Sequence, residues 1–107
     1  MQLSELNKVL EAVGVPVVYH SFQTSNQKVK TPPYICYYLK ESDNIGADNK
    51  VSVKFNRCNV ELYSVSKNPT LEQNLEDALD KASIFYDKTE LYIQEEKMFE
   101  ILYEIEI

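Results

Sequence analysis

The residues able to do chemistry in this chain are His20, the thiols Cys36 and Cys58, and the oxygen-bearing run Asp43, Asn44, Asp48 and Asn49. His20 is the only histidine. General acid-base work needs a second, positioned group, and no orienting acid can be nominated for His20 from its neighbours, so it reads as a surface or loop-packing residue. The cysteines lie inside separate strand-like runs and form neither a close redox pair nor a zinc knuckle. A hairpin turning near Ile45 and Gly46 would set Cys36 opposite a residue near Phe55, about three positions from Cys58 and too far for a disulfide unless a bulge shifts the register. Two reduced, partly buried thiols in a cytosolic setting are therefore expected. The spacing of Asp43, Asn44, Asp48 and Asn49 departs from a calcium-binding loop, which places ligands at alternate positions and ends in a bidentate glutamate. Asp and Asn tolerate left-handed backbone and bond to nearby amides, so these four are expected as turn formers and contact points. No enzyme, metal or cofactor is expected; the chemistry is that of a surface.

The elements that would position these groups follow from periodicity. Leu3, Leu6, Leu10 and Val13 recur at helical spacing, with Ser4 as a candidate cap and Gly14 where a left-handed terminator belongs. Val15–Tyr19 reads as a first strand, with Pro16 at its start. Ser21–Pro33 is polar and ends in Thr31-Pro32-Pro33, which favours an extended loop. Tyr34–Lys40 is the second strand, Ser42–Asn49 a long exposed loop, and Val51–Tyr63 the third strand. In that third strand Val51, Val53 and Phe55 have odd parity, while Cys58, Val60 and Leu62 have even parity. Side chains alternate strictly along a strand, so a bulge or a change of buried face is expected near Asn56 and Arg57.

Asn68-Pro69 starts a second helix, with the stripe Leu71, Leu75, Ala78, Leu79 and Ala82. Its other side carries Glu72, Glu76, Asp77 and Asp80, read as a solvated face or, in a functional account, a surface shared with other subunits. Phe85 to Ile93 forms a fourth strand, Gln94–Lys97 turns, and Phe99, Ile101, Tyr103, Ile105 and Ile107 line one face of a fifth. The order α-β-β-β-α-β-β predicts one α+β domain over residues 1–107. It has two layers, a mainly antiparallel sheet of about five strands with both helices on one face. At 107 residues a single core is possible and a second domain is not. Apolar runs are too short for a membrane span, and the start lacks a basic region followed by an apolar one, so no secretion signal is expected.

The net charge of −6 is uneven. Residues 1–54 hold six lysines against five acids, and residues 55–107 hold five bases against twelve acids. This balance argues against specific nucleic-acid binding, which draws on Lys and Arg contacts to phosphate. Eight tyrosines are present and no tryptophan. Tyr34, Tyr37 and Tyr38 fall on both faces of one strand and cannot share one core. Tyrosine is favoured at interface centres, so Tyr37 and Tyr38 join Asp43, Asn44, Asp48 and Asn49 as candidate interface residues.

Several short segments, taken in order and spacing, carry a resemblance. They are Pro16-Val17-Val18-Tyr19-His20-Ser21-Phe22, Pro33-Tyr34-Ile35, Ser42-Asp43-Asn44 with Ala47-Asp48-Asn49-Lys50, Glu61-Leu62-Tyr63-Ser64, Lys67-Asn68-Pro69, and Phe85-Tyr86-Asp87-Lys88-Thr89-Glu90 with Tyr92-Ile93. Together, from about Val15 to Glu104, they resemble the small tail-completion or tail-terminator proteins of siphophages and of prophages in Gram-positive bacteria. The resemblance implies a ring of six copies on the end of the tail tube, which stops elongation and prepares the surface that meets the head connector. It implies the tail tube protein, the head-completion or connector protein and further copies of the chain as partners, and a location in the virion tail after assembly in the host cytoplasm. It carries over no catalytic residue. A prophage-encoded adaptor or inhibitor that binds a host protein is the alternative class.

Overall fold

The computed structural model describes residues 1–22, 25, 26, 28 and 30–107, apart from the side chains of Ala47 and Ser52. The elements run α1 (Leu3–Glu11), β1 (Val17–Tyr19), β2 (Tyr34–Ser42), β3 (Ile45–Ala47), β4 (Lys50–Val53), β5 (Asn56–Ser64), α2 (Pro69–Lys81), β6 (Tyr86–Ile93) and β7 (Met98–Glu106). Five strands form one sheet in the order β1-β2-β5-β7-β6, antiparallel except for β1 beside β2. This is the expected α+β arrangement. Part of the expected Ser21–Pro33 loop, namely Gln23, Thr24, Gln27 and Val29, lies outside the described residues.

Both helices cover the same sheet face. Leu6 and Leu10 of α1 and Leu71, Leu75 and Leu79 of α2 pack on Ile35, Tyr37, Cys58, Val60, Leu62, Ile101, Tyr103 and Ile105. These are the helical stripes and strand alternations of the sequence brought into one core. At α2 the Asn68 side chain accepts from the Leu71 amide at 3.1 Å and Pro69 opens the helix, satisfying an otherwise orphaned donor. Its C-terminus closes without glycine. Ser83 takes a φ of 58°, and the Ser83 and Ile84 amides bond back to the carbonyls of Asp80 and Leu79. At α1 the cap is Gln2 rather than Ser4. The helix begins two residues earlier than that cap would require, and the Gln2 amide donates back to the Glu5 carboxylate at 3.4 Å. Gly14 has the expected left-handed backbone, with φ of 97°.

Two further expectations are corrected. The acidic side of α2 is not uniformly solvated. Glu72 is only 4% exposed and Glu76 is half-buried, while Asp77 and Asp80 face water. The reason is supplied from elsewhere in the chain. Lys67 approaches Glu72 at 2.7 Å, Lys88 of β6 reaches Glu72 at 2.9 Å and Glu76 at 2.8 Å, and the Tyr103 hydroxyl donates to Glu76 at 2.8 Å. The second correction concerns register. Cys36 pairs with Glu61, not with a residue near Phe55, and Cys58 pairs with Leu39. Both thiols are buried and free, and they sit on opposite sheet faces, Cys58 under the helices and Cys36 with Val18 and Phe22.

Candidate functional site

The register change has one cause: the expected loop is a β-ribbon. β3 and β4 pair antiparallel, with Ala47 opposite Lys50. Asp48 and Asn49, at φ of 50° and 62°, make the two-residue turn between them. Two consecutive left-handed residues match the twist of a hairpin, and Asp and Asn are among the few side chains that tolerate them. The hairpin therefore turns at Asp48-Asn49, three residues beyond the Ile45-Gly46 centre, which moves the partner of Cys36 from Phe55 to Glu61.

β2 and β5 continue outward into β3 and β4 through a short break. There the Asp43 amide donates to the Phe55 carbonyl at 2.8 Å, and the Phe55 amide donates to the Asn44 side chain at 3.2 Å. Asp43 also pairs with Arg57 at 3.3 Å. Lys54 and Phe55 belong to neither strand, which lets the third run change its buried face as its parity requires. The bulge itself lies opposite the expected place. It falls between Leu39 and Glu41 of β2, facing Cys58 and Arg57.

The four polar candidates thus divide by role. Asn44 and Asp43 brace the base of the arm, and Asp48 and Asn49 form its tip. Every arm residue from Ile45 to Lys54 whose side chain is described is exposed, including the apolar Ile45, Val51 and Val53. The arm stretches the molecule to 49 × 29 × 24 Å, with a radius of gyration of 14.8 Å, against about 13 Å for a compact domain of this length.

The tyrosine candidates separate across the sheet. Tyr37 is buried beneath α1, its hydroxyl donating to Asn7 at 2.9 Å, so its ring belongs to the core. Tyr38 stands on the face without helices and accepts from Asn59 at 3.0 Å. Around it lie Tyr34, Cys36, Glu61, Tyr63 and Glu100. Phe22 packs edge-on against Tyr34, which packs against Tyr63, at centroid distances of 4.9 and 5.2 Å. A shallow groove of about 360 Å³ runs between Phe22, Tyr34, Cys36, Tyr63 and Met98. Burial pushes the Cys36 thiol up to about 11, and the Glu61 and Glu100 carboxyls push the same way, so it is held neutral and unreactive. His20 lies at the end of β1 with φ of 66°, its ring tilted over Tyr38 at 5.6 Å.

The signal that sequence reading missed is Asp48-Asn49 as a hairpin turn, flanked by β-branched residues on its C-terminal side. The half-buried Glu61–Glu100 pair was also missed, because it joins strands far apart in the chain. Among the described residues no helix is long and apolar enough to cross a membrane. A scan against protein-family models found no matching family, and a search of curated proteins found no significant match.

Proposed function

We propose that this chain is a structural phage or prophage protein that caps the tail tube, ends its elongation and forms the tail-side surface for head joining. It works as a ring of six copies and acts by contact, without catalysis. Its partners are further copies of itself, the tail tube protein and the head connector; it binds no nucleic acid specifically and no membrane. The reading rests on the order and spacing of the segments that resemble tail-completion proteins. The observation that carries it is the arm, an exposed ribbon bearing Ile45, Val51 and Val53. A closed ring needs one patch on each subunit to meet a different patch on its neighbour, and a projecting ribbon on an otherwise compact body supplies such a patch. A contact of standard size buries about 800 Å² on each partner.

The exposed acids of the C-terminal half, Asp77 and Asp80 among them, keep the DNA channel non-adhesive in this reading. Glu72 and Glu76 have no part in that role, since both are held in the helix–sheet interface. The decisive test replaces Ile45–Val53 with a short glycine linker in the phage or prophage and images the tails by electron microscopy. Overlong or headless tails are expected, as in a strain lacking the chain. Normal tails and normal rings refute the role of the arm. Normal tails in the strain lacking the whole chain, with capture of a host protein, favour the adaptor or inhibitor class.

A further inference from the structure

On the open sheet face two carboxyl groups share one phenol, Tyr63, whose single proton can be counted. The Tyr63 hydroxyl lies 2.7 Å from Glu61 Oε2 and 2.8 Å from Glu100 Oε1, and the two carboxyls are within hydrogen-bonding reach of each other. A phenol has a single proton to donate. With both carboxyls ionised, one of these short contacts would set a carboxylate against a lone pair with no hydrogen between them. With one carboxyl protonated, both contacts become hydrogen bonds, one donated by Tyr63 and one donated to it.

Among the described residues no lysine or arginine pairs with either carboxyl. β2 contributes Tyr34, Cys36 and Tyr38; β5 adds Asn59; β7 adds Leu102 and, farther along, Glu104; β6 adds Leu91, Thr89 and Asp87. His20 and Glu96 approach from the groove. Among the described residues, no ion pair engages Glu61 or Glu100, and Lys40 is directed to Glu104. Burial, with the nearby Glu100 carboxyl adding to it and the Tyr63 and Tyr38 hydroxyls opposing, raises Glu61 to about 7.

We propose that Glu61, Tyr63 and Glu100 form a proton-operated latch on the open sheet face, closed while one proton is shared between the two carboxyls and opened when it is lost to solvent. Tyr63 then keeps Glu61, which Tyr38 also holds, and Glu100 is left without a donor. Glu61 is enclosed between β2 and β7, whereas Glu100 is bordered by the exposed Leu91 of the edge strand, so Glu100 swings out. Its departure releases the Tyr63 ring, and with it the Tyr34 and Phe22 contacts that cover Cys36. The sign of the linkage follows: because Glu61 is raised in the folded state, its stabilising effect is complete below the ordinary value of 4.5 and is lost as pH rises through about 7. The latch is independent of ring assembly and of the tail reading.

The test follows side-chain carboxyl carbons by NMR and near-ultraviolet circular dichroism in parallel on the full chain, from acid to mildly alkaline pH. The chain has no tryptophan, so the dichroism reports chiefly the tyrosines. One carboxyl is expected to titrate about two pH units above an ordinary glutamate, with a dichroism change and amide shifts at Phe22 and Tyr34 at the same midpoint. Glu100→Gln is expected to lower the Glu61 midpoint by at least about one unit and to abolish the neutral dichroism transition. His20→Asn, which keeps a residue tolerant of left-handed backbone, should leave that transition in place. The latch is overturned if every carboxyl titrates in the ordinary range, if the dichroism and the Phe22 and Tyr34 signals stay flat through the carboxyl midpoint, or if the transition disappears with His20. These wild-type and His20→Asn measurements decide the question even if Glu100→Gln does not fold.

Discussion

Glu72→Gln measures whether the acidic side of α2 is a solvated face or an anchor. Glu72 accepts from Lys67 and Lys88 while being 4% exposed itself. Hydrogen bonds to charged groups contribute roughly 1.5–3 kcal/mol each. Both lysines remain more than a third exposed at their side chains, which reduces each bond to about 1 kcal/mol by solvent screening. Gln preserves the volume, so no cavity term is added, and a loss of about 2 kcal/mol is expected. With a urea slope of about 1.5 kcal/mol/M for a domain of this size, the unfolding midpoint should fall by about 1.3 M. Asp77→Asn and Asp80→Asn, on the exposed side of the same helix, serve as internal controls and should change stability by less than about 0.5 kcal/mol.

The pH dependence gives a second reading of the same network. Burial alone would raise Glu72 and Glu76, but Lys88, together with Lys67 at Glu72 and Tyr103 at Glu76, outweighs it and holds both below their ordinary value. A carboxylate depressed in the folded state contributes stability that is complete above its unfolded value of 4.5 and is lost as pH falls through the folded one. Stability of the native chain should therefore drop on acidification from about pH 5 to pH 3, and less steeply in Glu72→Gln. If Glu72→Gln matches the two aspartate controls, in midpoint and in acid slope, the anchoring role is wrong.

Other outcomes follow from the backbone. A Cβ on Gly14 would meet no atom within 4 Å, so Gly14→Ala should cost only its left-handed conformation, about 1 kcal/mol in chemical unfolding; a loss above about 3 kcal/mol would show that packing is involved. At the arm tip, Asn49→Gly should leave the β3–β4 amide protection in hydrogen exchange unchanged or raised, since Asp-Gly suits this turn. Asn49→Val, a β-branched residue forced to φ of 62°, should abolish that protection without lowering global stability, because the arm is not part of the core. Equal arm protection in both variants would refute the turn assignment.

The helices and the order of elements along the chain were legible because each rests on a local signal. Leu71, Leu75 and Leu79 recur at helical spacing, Asn68-Pro69 caps the start, and Ile101, Tyr103 and Ile105 alternate. The arm was not legible as a ribbon. Asp, Asn and Gly around Ile45 have the composition of a loop, and only pairing across the turn gives Lys50–Val53 a partner. The two sides of α2 show the same limit. A helical wheel groups Glu72 with Asp80, yet it contains nothing about Lys88, whose strand crosses beneath that helix only in the folded chain.

The sequence by itself determined which residues turn inward, because hydrophobic periodicity and capping act within a few residues of one another. It led to unpaired thiols through a register that the structure corrects, and what keeps them apart is their placement on opposite sheet faces. Only the tertiary structure decided where the hairpin turns, which acids are buried against lysines, and that Glu61, Tyr63 and Glu100 meet on one face. Those outcomes depend on register between distant strands, which is set by the summed pairing of the whole sheet rather than by any short segment.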